Sequence, residues 1–275
     1  MLILGIESSG LAASAAYVED GLLKAEFTLN NKMNHSVSLL PMLDQMTKIS
    51  GIPAASADAI AVSAGPGSFT GLRIGAATAK GLAMALRKPI VRVSSLKALA
   101  YPAAFAPGRL ACPIMDARRG QVYCAAYLGE QEIVPEGAMD IGLFLEELKA
   151  VVRDPAHGIR ECLFLGDGVP VHEARIRADG ELPSAFELPA FSRQRAASVA
   201  LIGGHILSDW LAGNGMSLEV LAASDGEPLE AYDHCVMYAD DFSPDYLRKP
   251  QAEREKEAGL LEDAGQHSLK KMSRG

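Results

Sequence analysis

Residues 61–86 read AVSAGPGSFTGLRIGAATAKGLAMAL: an apolar run, a turn at Gly65-Pro66-Gly67, then an alanine-rich segment of helical character. Strand, glycine loop, helix is the order of a phosphate cradle, in which free amides at a helix N-terminus can hold an anion. The spacing of Gly65, Gly67, Gly71 and Gly75 is neither GxGxxG nor GxxxxGK[ST], so the dinucleotide and Walker patterns both fail on count. Two readings stay open at this point. Either the loop holds an anion, or its glycines serve only a tight turn. Gly71, Gly75 and Ala79 also share one helical stripe, which would let a second helix approach closely.

On the N-terminal side, LILGIES, SAAYVED and LLKAEFTLN read as three successive hairpin strands, with Asp20-Gly21 as a tight turn. Asn34 is placed to cap a helix over HSVSLLPMLDQMTKIS, where Leu39, Leu43 and Met46 recur at i, i+4, i+7 and Gly51 with Pro53 ends the run. Pro41 inside it predicts a kink. ADAIAVSA is a buried strand, the helix after the glycine loop is expected from about Thr70 to Arg87, PIVRVS is a strand and SLKALAYPAA a short helix. The first hundred residues thus run β-β-β-α-β-α-β-α, an α/β layout with strands covered by helices.

The second half repeats the opening: RLACPIMDARRGQVYCAAYLGEQEIV is strand, turn at Arg119-Gly120, strand, turn at Gly129, strand. FLEELKAVV then reads as a helix, ECLFLGDG as a strand ending in a loop, and SVALIGGHILSDWLAG as an amphipathic helix capped by Gly213. Pro102 and Pro107 interrupt the pattern between Tyr101 and Gly108. The expected division is therefore a lobe over 1–104, a second lobe over 105–250, and a polar, mobile tail over 251–275.

The chain's 275 residues, 49% hydrophobic and 22% charged, are enough to bury a full core. A net charge of −8 argues against a protein that grips nucleic acid by itself, because that affinity comes largely from Lys and Arg neutralising phosphates. Cys112, Cys124, Cys162 and Cys235 form no CxxC pair and are expected as reduced thiols. MLILGIESSG has no basic leader, its apolar run stops at Glu7, and no run approaches the roughly 20 apolar residues that span a membrane. The cytoplasm is the expected compartment.

Glu7, near the end of the first strand with Ser8 and Ser9 in the turn, could order the waters of a phosphate-bound Mg²⁺, or form a polar turn. The six histidines include no HxxxH and no HExxH pair, so a zincin-like site has no support, and no GxSxG elbow is present. Asp116, Arg118, Arg119 and Gly120 could take an anion, but a hairpin turn with solvated charges is the simpler reading.

Taken together, LGIESS at 4–9, HSVSLLPML at 35–43, AGPGSFTGLRIGAATAKGLA at 64–83, VSSLKALA at 93–100, MDARRGQVY at 115–123 and PDYLRKPQAE at 244–253 closely resemble the bacterial TsaB (YeaZ) family of threonylcarbamoyladenosine biosynthesis subunits. The resemblance spans most of the chain in the family order. It implies a two-lobed actin-like, sugar-kinase (ribonuclease H-like) ATPase fold, each lobe a mixed sheet flanked by helices. In the catalytic relative TsaD, the segment after the same loop carries an HxxxH metal pair, whereas Ser94-Ser95-Leu96-Lys97-Ala98-Leu99 stands here. Serines are poor ligands for a borderline metal and Lys97 repels a cation. The resemblance therefore implies a pseudoenzyme with no catalytic residue and no metal of its own.

It further implies pairing with TsaD, support of the ATPase TsaE, and contact with tRNA only through the complex that places threonylcarbamoyl on N6 of adenosine 37. A homodimer through the same helices is expected when TsaD is absent, because an apolar stripe seldom stays exposed. The expected contact surface is a four-helix bundle using His35, Leu39, Leu43 and Met46 from one helix and Arg73, Gly75, Ala79 and Leu82 from the other. Any nucleotide site, with ATP or ADP held weakly or at a shared interface, would use Glu7, Ser9, Gly65, Gly67 and Gly71. A residual ATPase or small-molecule kinase on those same residues is the alternative; a metalloprotease is disfavoured by the histidine count.

Overall fold

The computed structural model describes residues 1–31, 34–224 and 232–247. The expected tail over 251–275 lies outside the described residues. Three hairpin-connected strands open the chain, β1 (Leu2–Glu7), β2 (Ala13–Glu19) and β3 (Leu22–Leu29). They are followed by helix α1 (His35–Ser50), β4 (Ala59–Gly65), α2 (Phe69–Leu86), β5 (Ile90–Ser94) and α3 (Ser95–Ala100). The order expected for the first hundred residues is the one observed. Antiparallel pairing joins β1 to β2 and β2 to β3, β4 and β5 add parallel to β1, and the sheet reads β3-β2-β1-β4-β5 from one edge.

Local chemistry sets the helix ends. Asn34 caps α1 by accepting from the Ser36 amide at 3.1 Å, and Gly51 closes it in the left-handed conformation. Pro41 does not interrupt α1, which runs through it; the proline is exposed, so the carbonyl left without a donor lies on the solvent side. Tyr17, fully buried in β2, shares a 2.8 Å hydrogen bond with Thr47 and ties α1 to the sheet.

The second lobe repeats the winding with β6 (Arg109–Asp116), β7 (Gln121–Leu128), β8 (Gln131–Asp140), α4 (Ile141–Arg153), β9 (Glu161–Leu165), α5 (Val169–Asp179) and β10 (Ser184–Phe186). Its sheet order is β10-β9-β6-β7-β8. Phe144 and Leu148 of α4 and Ile176 of α5 cover one face. Leu96 and Leu99 of α3 cover the other, so this one short helix serves as the wedge between the two lobes. Sequence periodicity does not reveal α5, because only Val169, His172 and Ile176 of its eleven residues are buried and the apolar stripe is too thin to read.

The division at 105–250 needs correction. After β10 the chain returns to the first sheet as α6 (Ala196–Gly213), α7 (Leu218–Ala223) and β11 (Val236–Met237), the last pairing antiparallel with β5. The reason is that a sheet has two faces. Leu4, Ile6 and Tyr17 are covered by α1 and α2, but Ile3, Val91 and Val93 point the other way and need Val199, Ile202 and Trp210 of α6. Glycines permit that approach, since a Cβ on Gly5 would meet the Ala196 carbonyl and one on Gly203 would meet Ala61. Helix α6 ends with Gly213 inside it, and the cap is Asn214.

Candidate functional site

The glycine loop between β4 and α2 is packed from both sides by its own chain. Ser68 caps α2 by accepting from the Gly71 amide at 3.3 Å, and the Ser68 amide itself donates to the Ser9 carbonyl at 2.7 Å. A Cβ on Gly67 would stand 2.5 Å from that same carbonyl oxygen, one on Gly71 would overlap the Ser8 carbonyl, and one on Gly75 would overlap the Ser8 hydroxyl. That hydroxyl donates to the Gly71 carbonyl at 2.8 Å. The three glycines thus allow the β1–β2 turn to lie directly on the first two turns of α2.

From the other side comes the segment 242–247. The Asp245 amide donates to the Ala64 carbonyl at 2.6 Å, and the Asp245 carbonyl lies where a Cβ on Gly65 would be. Gly65 has φ +131°, a conformation that favours glycine. Arg92 pairs with Asp245 and donates to the Ser243 carbonyl at 2.9 Å, while Lys80 donates to the carbonyls of Asp240 and Phe242 at 3.1 and 3.2 Å. Tyr246 packs on Phe69 with ring centroids 4.9 Å apart, and the Arg73 guanidinium sits 3.9 Å above the same Phe69 ring. This strap over the loop is a feature that sequence periodicity does not reveal; its only trace was the PDYLRKPQAE motif.

Glu7 ends β1 fully buried. Its Oε1 accepts from the Ser9 amide at 2.5 Å and the Ser9 hydroxyl at 2.6 Å, while Oε2 and the Ser63 hydroxyl have no hydrogen-bond partner among the described residues. Burial pushes the carboxyl above its ordinary value, and the two hydrogen bonds from Ser9 offset only part of this. Glu7, Ser9, Gly65, Gly67 and Gly71 are therefore brought together, in a space already occupied by protein.

The expected bundle residues divide by face. Leu39, Leu43, Met46 and Ala79 are at most 4% exposed and belong to the core under the first sheet, Gly75 is buried against Ser8, and Leu82 packs half-buried on the same core. This stripe is correctly read as apolar, but it faces the chain's own sheet and offers no surface. His35 is half-buried, its Nε2 3.0 Å from the Gly10 carbonyl, and Arg73 is exposed on Phe69. The outward face carries residues that the sequence reading missed: Val37, Leu40 and Ile49 on α1, and Met84 with Gly81 on α2. The available signal was that α1 is apolar on two sides, which a helix needing only an inward stripe does not require.

At the lobe junction, Ser94 caps α3 by accepting from the Lys97 amide at 3.0 Å and donates to Glu136, which also accepts from the Tyr127 hydroxyl at 2.6 Å. Burial raises the Glu136 carboxyl, and burial with the neighbouring Glu136 raises the Tyr127 phenol. Ser95 is fully buried. In the segment 94–99 that the resemblance sets against the metal pair of TsaD, Ser94 is thus a helix cap and Ser95 a core residue. Asp116 accepts from the Arg118 amide at 2.8 Å, and the Ala117 amide donates to Gln121 at 3.0 Å, so that cluster is a closed hairpin turn.

Comparison with known proteins completes the picture. The family model described as TsaD, tRNA N6-adenosine threonylcarbamoyltransferase, matches residues 24–216, more than half of the chain. The chain is similar to the tRNA threonylcarbamoyladenosine biosynthesis protein TsaB of Bacillus subtilis, 36% identical over 180 residues that are 64% of this chain and 75% of that one. With TsaB of Escherichia coli it shares 35% over 154 residues, 56% of this chain and 63% of that one. Among solved structures, a Pseudomonas aeruginosa protein described as similar to the peptidase YeaZ superposes with TM-score 0.60 at 25% identity, covering 90% of this chain and 99% of that one. On these grounds the chain belongs to the TsaB (YeaZ) family of tRNA threonylcarbamoyladenosine biosynthesis proteins.

Proposed function

We propose that the chain serves tRNA threonylcarbamoyladenosine biosynthesis as a non-catalytic subunit. It pairs with a TsaD-type transferase through the outward face of α1 and α2, supports TsaE, and meets tRNA only through the assembled complex. In the absence of TsaD the same face makes a homodimer. The observation that carries this reading is that Val37, Leu40 and Met84 are 61, 56 and 53% exposed on two adjacent helices, which is apolar surface a lone chain leaves in water. The cytoplasm is the compartment that fits; among the described residues no helix is long and apolar enough to cross a membrane.

Support for the non-catalytic part comes from the segment Ser94-Ser95-Leu96-Lys97-Ala98-Leu99, which holds no histidine where the resemblance to TsaD asks for a metal pair and whose serines cap and fill α3. A residual ATPase would use Glu7, Ser9 and the glycine loop. The β1–β2 turn and the Asp245 strap packed against that loop weigh against it.

The test is a tRNA threonylcarbamoylation assay, with threonylcarbamoyl-adenylate supplied, run with this chain alone, with TsaD and TsaE alone, and with all three. Modification only in the full mixture is expected. Modification by the chain alone, or full activity without it, overturns the subunit reading.

A further inference from the structure

The turn that leads into β11 reads Tyr232-Asp233-His234-Cys235-Val236, and it is anchored from both sides. Tyr232 packs on Trp210 of α6 with ring centroids 5.7 Å apart, Val236 is fully buried, and the Arg92 amide of β5 donates to the Cys235 carbonyl at 2.9 Å. Within the turn the Asp233 amide donates to the Val236 carbonyl at 2.9 Å, and Asp233 Oδ1 accepts from the amides of Cys235 and Val236 at 2.7 and 2.9 Å. These bonds gather three side chains of different chemistry. A carboxylate oxygen of Asp233, a ring nitrogen of His234 and the Cys235 sulfur all lie within 4.8 Å of one another, the first two residues exposed and the cysteine half-buried.

We infer that this turn is a Zn²⁺ site, with Asp233, His234 and Cys235 as three ligands and water in the fourth position. The donor set decides the metal. A thiolate beside an imidazole suits zinc, whereas Mg²⁺ and Ca²⁺ take shells of oxygen. Donors around a tetrahedral zinc stand roughly 3.3–3.6 Å apart, so from a spread of 4.8 Å the side chains close by at most about 1.5 Å, by rotation on a backbone already fixed.

The surroundings agree with that set. The two amide bonds to Oδ1 orient the Asp233 carboxylate and leave Oδ2 for the metal, the outer support that a ligating carboxylate needs. As the zinc–sulfur bond forms, the thiol proton leaves to solvent. Carboxylate and thiolate then match the two charges of the cation, with the imidazole neutral. Arg92, the neighbouring cation, has its guanidinium engaged by Asp245 and by the Ser243 carbonyl. None of residues 94–99 takes part, and the ion's effect is structural: it clamps the turn that feeds β11, a two-residue strand on the edge of the first sheet.

The test titrates Co²⁺ onto the tag-free, chelator-stripped, reduced full chain, reads the thiolate-to-cobalt charge-transfer absorption, and then displaces the cobalt with Zn²⁺. A single equivalent is expected to raise the absorption and zinc to bleach it, with a zinc dissociation constant of about 10 µM or tighter, short of what four-ligand structural sites reach. Mg²⁺ should bind at least about a hundredfold more weakly. C235S should lose the absorption altogether, because Cys112, Cys124 and Cys162 are fully buried in the second lobe. H234Q, at an exposed position, leaves folding intact and should keep the absorption while weakening zinc at least about tenfold, so the test survives a poorly folded C235S. D233N keeps an acceptor for the two amides but loses the anion, and should weaken zinc by a similar factor. No charge-transfer absorption with cobalt, zinc affinity unchanged in H234Q, or Mg²⁺ bound as tightly as Zn²⁺ overturns the assignment.

Discussion

Three glycine-to-alanine substitutions in one helix should change stability in different directions, and the structure supplies the reason for each. Gly81 has no atom within 4 Å of an added Cβ and lies in the interior of α2. There alanine brings only its helix preference, about 0.8–1 kcal/mol, which for a chain of this size raises the melting temperature by roughly 2–4 °C. At Gly75 the new methyl displaces the Ser8 hydroxyl, whose hydrogen bond to Gly71 is worth about 1 kcal/mol, so gain and loss nearly cancel. Gly71 sits in the first turn, where the propensity gain is smaller, and its Cβ would overlap the Ser8 carbonyl. A backbone oxygen cannot rotate aside, and overpacking of this kind costs about 1–3 kcal/mol. Gly71→Ala is therefore expected to melt about 2–12 °C below the parent, and calorimetric melts of the four proteins side by side provide the measurement. A Gly71→Ala protein as stable as the Gly81→Ala protein would refute the packing argument: the loop would then stand clear of the β1–β2 turn, with room for a ligand.

The two faces of α1 separate in a second comparison. Leu43→Asp removes a core side chain worth about 1.5–3 kcal/mol and buries a carboxylate, so thermal unfolding should show a chain largely unfolded at ambient temperature; Leu40→Asp, at an exposed position, should stay within about 0.5 kcal/mol of the parent yet sediment as a monomer and fail to copurify with TsaD. Dimer loss from Leu43→Asp with an unchanged melting temperature would return the contact surface to the inward stripe. Glu7 predicts a pH signature: its folded pKa is raised above the ordinary 4.5, so its contribution to stability is present below that pH and lost as pH rises through the folded value. Glu7→Gln carries no such loss, and its melting temperature relative to the parent should climb from pH 4.5 to pH 8; a difference that stays flat over that window would mean the carboxyl is not held against its ionised form.

Much of the fold was legible because the signals are local. Asn34 and Gly51 bracket α1, Gly129 turns β7 into β8, and the repeated strand-turn-strand opening announces a second sheet of like winding. What stayed hidden is what depends on distant partners. The return of α6 to the first sheet follows from the bare face left by Ile3, Val91 and Val93, and no window of sequence contains both halves of that contact. The inward orientation of Leu39, Leu43 and Met46 was ambiguous for the same reason: periodicity marks a stripe as apolar without saying which of two surfaces it meets.

The glycine loop joins these lessons to function. A phosphate cradle requires amides that point at open space, whereas here the Ser68 and Gly71 amides are committed to Ser9 and to the Ser68 hydroxyl, and the space beside Gly65 holds the Asp245 carbonyl. Admitting an anion from that side means lifting the strap, which breaks the Asp245–Ala64 hydrogen bond and the Arg92–Asp245 pair together with the Phe69–Tyr246 contact. Each is modest alone, about 1 kcal/mol or less for a hydrogen bond or an exposed pair, but they must be lost together. Mg²⁺-ATP would therefore have to bind the strap-free conformation, and its affinity for the resting chain is reduced by the fraction of chains that reach it. The same contacts that a phosphate would have to displace hold the start of α2 in place, and that helix carries Gly81 and Met84 to the outward face. The loop's glycines are thus accounted for by the surface they help to build.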